Sequence, residues 1–163
     1  MCSAFSQLQT LNRSRMGETK YQEMLDYGTL HLRFCMKLYK MQMDNGLYFL
    51  HEHPANAGSW KDESVQRILA DYRVTKVAGN MCMFGMTQRD EEGMGFIKKN
   101  TGFMTNADAI AGRLNRRCDN SHRHIELING RAKKAEIYPE DLCKEVIIGL
   151  KEQMELDGRL TNT

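Results

Sequence analysis

Leu47-Tyr48-Phe49-Leu50, running straight into His51-Glu52-His53-Pro54, is the stretch on which the fold turns. Four apolar residues in a row, too few for a helix and closed by a polar cluster, read as a short strand buried on both faces. Upstream, Met24, Tyr27, Leu30, His31, Phe34, Leu38 and Met41 recur at three- and four-residue spacing. That spacing predicts a helix over 18–44, stopped by Asn45-Gly46. Downstream, Ser59-Trp60-Lys61-Asp62-Glu63 opens a second helix with Val65, Ile68, Leu69 and Tyr72 on its inner side, and 73–78 reads as a second strand. The order helix, strand, helix, strand points to an α/β sheet.

After residue 78 the pattern changes. Residues 79–106 are rich in glycine and polar groups, with short β-like pieces at 82–86, 94–98 and 102–105. Residues 107–117 return to helix, and 122–128 read as a strand or an irregular crossing. Pro139, followed by Glu140 and Asp141, begins a closing helix to about residue 157. Without repeats or a linker, 1–163 reads as a single domain. Its first part, 1–78, is a helix/strand half-sheet; its second, 79–163, carries the glycine-rich β pieces, a basic helix and the closing helix.

The chain has 163 residues, 41% hydrophobic and 27% charged, enough for a packed core. A net charge of +2 gives no global argument for nucleic acid. No apolar run approaches the roughly 18 residues of a membrane span, and no signal-peptide core opens the chain. The five cysteines are odd in number and contain no CxxC pair, which reads as reduced thiols of a cytoplasmic or nuclear protein. Methionine-rich runs such as Met81-Cys82-Met83-Phe84-Gly85-Met86 read as soft core filling.

Three groups carry chemistry. Cys2 is followed by Ser3, Ser6 and a helix-compatible stretch, whose free backbone N–H groups would favour thiolate. The alternatives are a cysteine without a role, or removal of Met1 to leave an N-terminal nucleophile, although the residues after Cys2 do not look like the strand such enzymes start on. Glu52, directly after an apolar strand, is a carboxylate placed to act as a proton donor. His51 and His53 share one face of an extended chain, and Cys118, His122 and His124 form the nearest complementary cluster; the spacing matches no standard zinc template, so no metal ligand is assigned. The third group is basic. Arg113, Arg116, Arg117, Arg123, Arg131, Lys133 and Lys134 fall within 22 residues holding only two acids, Asp119 and Glu126, and Lys98 and Lys99 add a basic turn. Arg113, Arg116, Arg117, Lys98 and Lys99 are the candidate nucleic-acid contacts.

In their order these blocks resemble the second half of a cytosine-5 DNA methyltransferase, of the kind found in phages and mobile elements. Met1-Cys2-Ser3-Ala4-Phe5-Ser6 is similar to the family's proline-cysteine loop, with Met1 in the proline's place. Leu50-His51-Glu52-His53-Pro54 is similar to its glutamate motif, with His53 where asparagine is usual. Cys82-Met83-Phe84-Gly85, followed by Lys98-Lys99-Asn100-Thr101-Gly102-Phe103-Met104-Thr105-Asn106, resembles a tyrosine/phenylalanine-glycine and lysine-proline-threonine block, Asn100 replacing the proline. Ala135-Glu136-Ile137-Tyr138-Pro139-Glu140-Asp141-Leu142-Cys143 resembles the segment leading into the last helix.

The resemblance implies the second half of a Rossmann-like sheet with helices on both faces, the first half-sheet missing. It implies Cys2 as the nucleophile that adds to carbon 6 of a flipped cytosine, and Glu52 as the group that holds and protonates ring nitrogen 3. The cofactor would be S-adenosylmethionine, yet the glycine-rich loop and acidic residue that hold it lie upstream of the proline-cysteine loop and have no counterpart here. A chain so truncated would be incomplete alone and bind the cofactor poorly or not at all. DNA or RNA, a missing N-terminal half or a partner chain, and no membrane are the expected partners. Two other readings stand beside it: a non-catalytic basic nucleic-acid-binding module, and a module stabilised by metal at His51, His53, Cys118, His122 and His124.

Overall fold

The structure is a computed structural model that describes residues 4, 5, 7–128 and 131–160. Helix α1 (Gln7–Met16) and the long α2 (Glu18–Asp44) meet at Gly17, whose φ of 85° lies in the left-handed region that suits glycine. Strand β1 (Leu50–Pro54) follows, then a 3₁₀ turn (Gly58–Lys61), α3 (Glu63–Leu69) and β2 (Thr75–Asn80). Asp62 caps α3 by accepting from the Ser64 backbone N–H at 2.9 Å. A second 3₁₀ turn (Met81–Phe84) leads into the hairpin β3 (Thr87–Asp90) and β4 (Gly93–Phe96). Strand β5 (Asn100–Thr105), α4 (Asp108–Leu114), α5 (Arg131–Lys134) and α6 (Glu140–Leu156) complete the order.

The main sheet has strand order β1-β5-β2, and β5 runs antiparallel to both neighbours. Opposed residues share a face, so the register sorts side chains into two sets. His51, His53, Met104 and Gly102 face α2 and α3, in a core with Leu32, Met36, Trp60, Val65 and Ile68. Glu52, Phe103 and Val77 take the other face, toward a core with Phe84, Ile97, Ile110, Leu114 and Leu142 from the second half of the chain. Gly102 is needed there: a Cβ on it would stand 2.7 Å from the Trp60 ring. The chain is therefore mixed α/β, as the helix–strand order predicts, and helices pack on both faces of the sheet. The antiparallel pairing throughout the described strands is what that order does not foresee.

Three expectations shift. The first strand is His51-Glu52-His53-Pro54 itself, with Leu50, not the apolar run before it. Backbone groups of 47–49 are held instead by side chains at the end of β5: Asn106 accepts from Phe49 N at 2.9 Å and donates to Leu47 O at 2.9 Å, and Thr105 Oγ1 donates to Phe49 O. In the second place, 82–86 is no β piece, because the segment winds into the 3₁₀ turn that buries Met81, Cys82 and Phe84 and closes on left-handed Gly85 (φ 79°). Helix α2 spans the expected residues, but it buries Tyr21, Gly28, Leu32, Met36 and Met43. The stripe Tyr27, Leu30, Phe34, Leu38, Met41 is exposed, which makes it a continuous apolar surface on a long helix.

Candidate functional site

Glu52 sits on β1, an edge of the sheet among the described strands, beside a cleft of ≈ 270 Å³ between β1, α2 and Tyr138. Its side chain is only 11% exposed. Two residues from distant parts of the chain reach it. Tyr138, just before α6, donates its hydroxyl to Oε2 at 2.9 Å. Lys99, just before β5, brings Nζ to 3.7 Å from Oε1, within ion-pair reach but beyond a hydrogen bond. Oε1 is buried and accepts no hydrogen bond among the described residues. Burial and the Glu52 carboxylate push the Tyr138 hydroxyl up, so it stays protonated and remains a donor. A carboxylate with one oxygen satisfied and one not is costly in a static core and useful in a site.

His51 and His53 lie on the opposite face of β1. Both rings are 5% exposed and pack at 4.6 Å between centroids, with Trp60 edge-on to each. Tyr39 Oη and His51 Nδ1 are hydrogen-bonded at 3.2 Å, and His53 Nδ1 pairs with Ser59 Oγ. His51 Nε2 is buried and makes no hydrogen bond among the described residues. Burial pushes His51 down to about 3 and His53 down to about 4, so both are neutral at ordinary pH.

The basic cluster divides. Arg113 is clamped by two α6 carboxylates, Nη1 to Glu145 at 2.6 Å and Nε to Glu152 at 2.7 Å, and Arg116 reaches Glu145 at 2.5 Å. Arg123 is held by Asp90 and Glu92 across the β3–β4 hairpin. Lys98 donates to Asn120 Oδ1, and Lys99 turns inward to Glu52. Arg117 pairs with no carboxylate among the described residues. It lines an acid-free groove of ≈ 520 Å³ with Lys76, Asn56, Asn100 and Asn115. Lys76, whose Nζ stands 3.9 Å over the Trp60 ring, is the basic residue of this groove that sequence reasoning missed; only the β1–β5–β2 register brings it beside Arg117.

A third constellation joins Cys82, Cys118, His122 and His124, one ligand atom from each lying within 4.8 Å of all the others. Cys118 Sγ is 3.6 Å from His122 Nε2 and 3.5 Å from His124 Nε2. Burial first, and the neighbouring Cys118 thiol second, push Cys82 up to about 11, while burial and His122 push His124 down. His51 and His53 stand apart from this group, on the far face of the sheet. Cys82, read from sequence as core filling, takes their place. Cys2 lies outside the described residues. No protein-family model, curated protein or solved structure matches this chain. Among the described residues no helix is long and apolar enough to cross a membrane.

Proposed function

We propose that this chain supplies the base-meeting side of a cytosine-5 methyltransferase-like nucleic-acid site, centred on Glu52. The observation that carries this reading is convergence. Three sequence blocks that resemble the family separately, the glutamate motif, the lysine block and the segment before the last helix, meet at one carboxylate through Glu52, Lys99 and Tyr138. Glu52 lines a cleft of ≈ 270 Å³, and its Oε1, ion-paired with Lys99, accepts no hydrogen bond among the described residues and so has acceptor capacity left for a base edge. The described strands pair antiparallel throughout, so a Rossmann-like half rests on the sequence resemblance alone. Strands β1 and β2, both antiparallel to β5, run parallel to each other and are joined through α3. The two strands of like direction are separated by the antiparallel β5 and do not pair with each other.

In this reading Cys2 Sγ forms a bond to carbon 6 of a base held out of its stack. The ring π electrons move toward nitrogen 3, which takes its proton from Glu52. Tyr138 holds Oε2 and aims the carboxyl group; Lys99 balances the charge left on it once the proton has gone. The methyl group would come from S-adenosylmethionine, whose binding elements the resemblance places upstream of Cys2.

The test is covalent trapping. An oligonucleotide with 2-pyrimidinone in place of one cytosine accepts a thiolate at carbon 6 without needing methyl transfer. The full chain should form an adduct that survives denaturation and maps to Cys2. Cys2→Ser should abolish it, and Glu52→Gln should slow it by about a hundredfold, the scale of a lost proton donor. An adduct formed equally well by Glu52→Gln counts against the role of Glu52.

The acid-free groove of Lys76 and Arg117 favours a second reading, a binding module without catalysis. In that case the oligonucleotide binds, no adduct forms, and Glu52→Gln leaves binding unchanged.

A further inference from the structure

We propose that Cys82, Cys118, His122 and His124 form a structural zinc site that ties the end of β2 to the loop following α4. Distances within the group match those around a bound ion. Zinc bound tetrahedrally at about 2.3 Å from sulfur and about 2.05 Å from nitrogen leaves each sulfur and nitrogen about 3.6 Å apart. Cys118 Sγ stands 3.6 Å from His122 Nε2 and 3.5 Å from His124 Nε2, at that tetrahedral edge, with Cys82 Sγ inside the same 4.8 Å set. A hydrogen-bonded pair of side chains would explain one such distance. It does not explain one thiol facing two imidazole nitrogens while a second thiol closes the set.

The local backbone is shaped to hold the ligands. Cys82 sits in the 3₁₀ turn that ends on left-handed Gly85. Asn80, the last residue of β2, accepts from the Cys118 backbone N–H through Oδ1 at 2.9 Å and so fixes one ligand-bearing segment to the other. The Asn120 N–H donates to Cys118 Sγ at 3.2 Å, with Asn120 itself at a φ of 63°. A backbone donor on a ligand sulfur is the kind of outer contact that orients it and spreads thiolate charge. His124 is held by its neighbours, since Phe96 N donates to Arg123 O at 3.0 Å and Ile125 N donates to Phe96 O at 2.8 Å. Three elements thus converge on one point: the turn after β2, the loop after α4, and strand β4.

The donor set chooses the ion. Two thiolates and two imidazoles, without a carboxylate, suit zinc and not magnesium or calcium. Four protein ligands fill a tetrahedron and leave no position for substrate, which makes the site structural. It holds the loop that carries Arg117 into the acid-free groove. The zinc site does not depend on the role of Glu52, which lies apart from it on β1.

The full chain, purified in reducing buffer without chelator, equilibrated with zinc and gel-filtered, should keep roughly one zinc per chain by elemental analysis. Cobalt in its place should give the visible bands of a tetrahedral ion and a thiolate-to-cobalt charge-transfer band in the near ultraviolet. Cys82→Ser and Cys118→Ser should each lose the metal or lose about half of that band, whereas Cys143→Ser should change neither. His122→Cys keeps a tetrahedral set and should hold zinc while raising the charge-transfer intensity, so the test stands even if the serine variants fail to fold. A folded chain that keeps less than about a tenth of an equivalent, or a cobalt spectrum without a thiolate band, overturns the site. So does a His122→Cys spectrum identical to that of the unaltered chain.

Discussion

Acid should unfold this protein through His51 and His53. In the unfolded chain each imidazole takes up its proton near pH 6.5. In the folded chain burial holds them down to about 3 and about 4, so at mildly acidic pH the unfolded state binds protons that the folded state refuses. Stability is complete above about pH 6.5 and drains away as pH falls toward the folded values, at about 1.4 kcal/mol per pH unit for each ring. By about pH 5 each histidine accounts for a loss of about 2 kcal/mol, a large share of the 5–15 kcal/mol typical of a domain. Around them stand Tyr39, Ser59 and Trp60, with Lys76 across the indole, and none supplies a carboxylate that would welcome imidazolium. The assay is urea unfolding across about pH 5 to 7, comparing the slope of stability against pH for the unaltered chain and for His51→Gln. The difference of slopes cancels every group that titrates in both, and it should be about 1.4 kcal/mol per pH unit below pH 6.5. Parallel curves would show that His51 titrates alike in the folded and unfolded chains, and burial would then not be what keeps its ring neutral.

Helix packing gives a sharper contrast within one pair of elements. A Cβ at Gly149 of α6 would meet the Ile110 backbone at 2.9 Å, whereas one at Gly112 of α4 meets nothing within 4 Å. Gly149→Ala should therefore destabilise by about 1–3 kcal/mol and Gly112→Ala should stabilise by about 0.5–1 kcal/mol, read from thermal unfolding. Replacing Lys76 and Arg117 together by alanine should weaken single-stranded oligonucleotide binding and flatten its salt dependence by about 1.4 in log–log slope, whereas Arg113→Ala, already neutralised by Glu145 and Glu152, should leave that slope alone.

The two long helices were legible because their signals are local. Asn45-Gly46 ends α2, and Pro139 with two acids begins α6. The buried face of α2 was not legible, because Leu32 and Met36 on one stripe and Leu30 and Phe34 on another are equally apolar; tertiary packing chose between them. The strand at His51-Glu52-His53 was hidden by polar residues that look like a loop. Its alternation became visible only once β5 supplied the partner register. Glu52 could be named from its place after an apolar run, but Lys99 and Tyr138 reach it through pairings that no local pattern encodes. The same holds for the Cys/His group: Cys118, His122 and His124 are close in sequence and stood out, while Cys82 joins them only because β2 ends beside the loop.

The role of Glu52 is tested most directly by discrimination between cytosine and uracil. A protonated carboxyl group donates to cytosine nitrogen 3 and accepts from the 4-amino group, whereas uracil sets an N–H against the donor and an oxygen against the acceptor, a contrast of about 1–3 kcal/mol. Fluorescence anisotropy with single-stranded oligonucleotides differing in one base should show the full chain favouring cytosine by about five- to a hundredfold, and Glu52→Gln should erase that preference. Equal affinity for the two bases, or a preference that survives Glu52→Gln, would contradict the assignment of Glu52 as the group that meets the base.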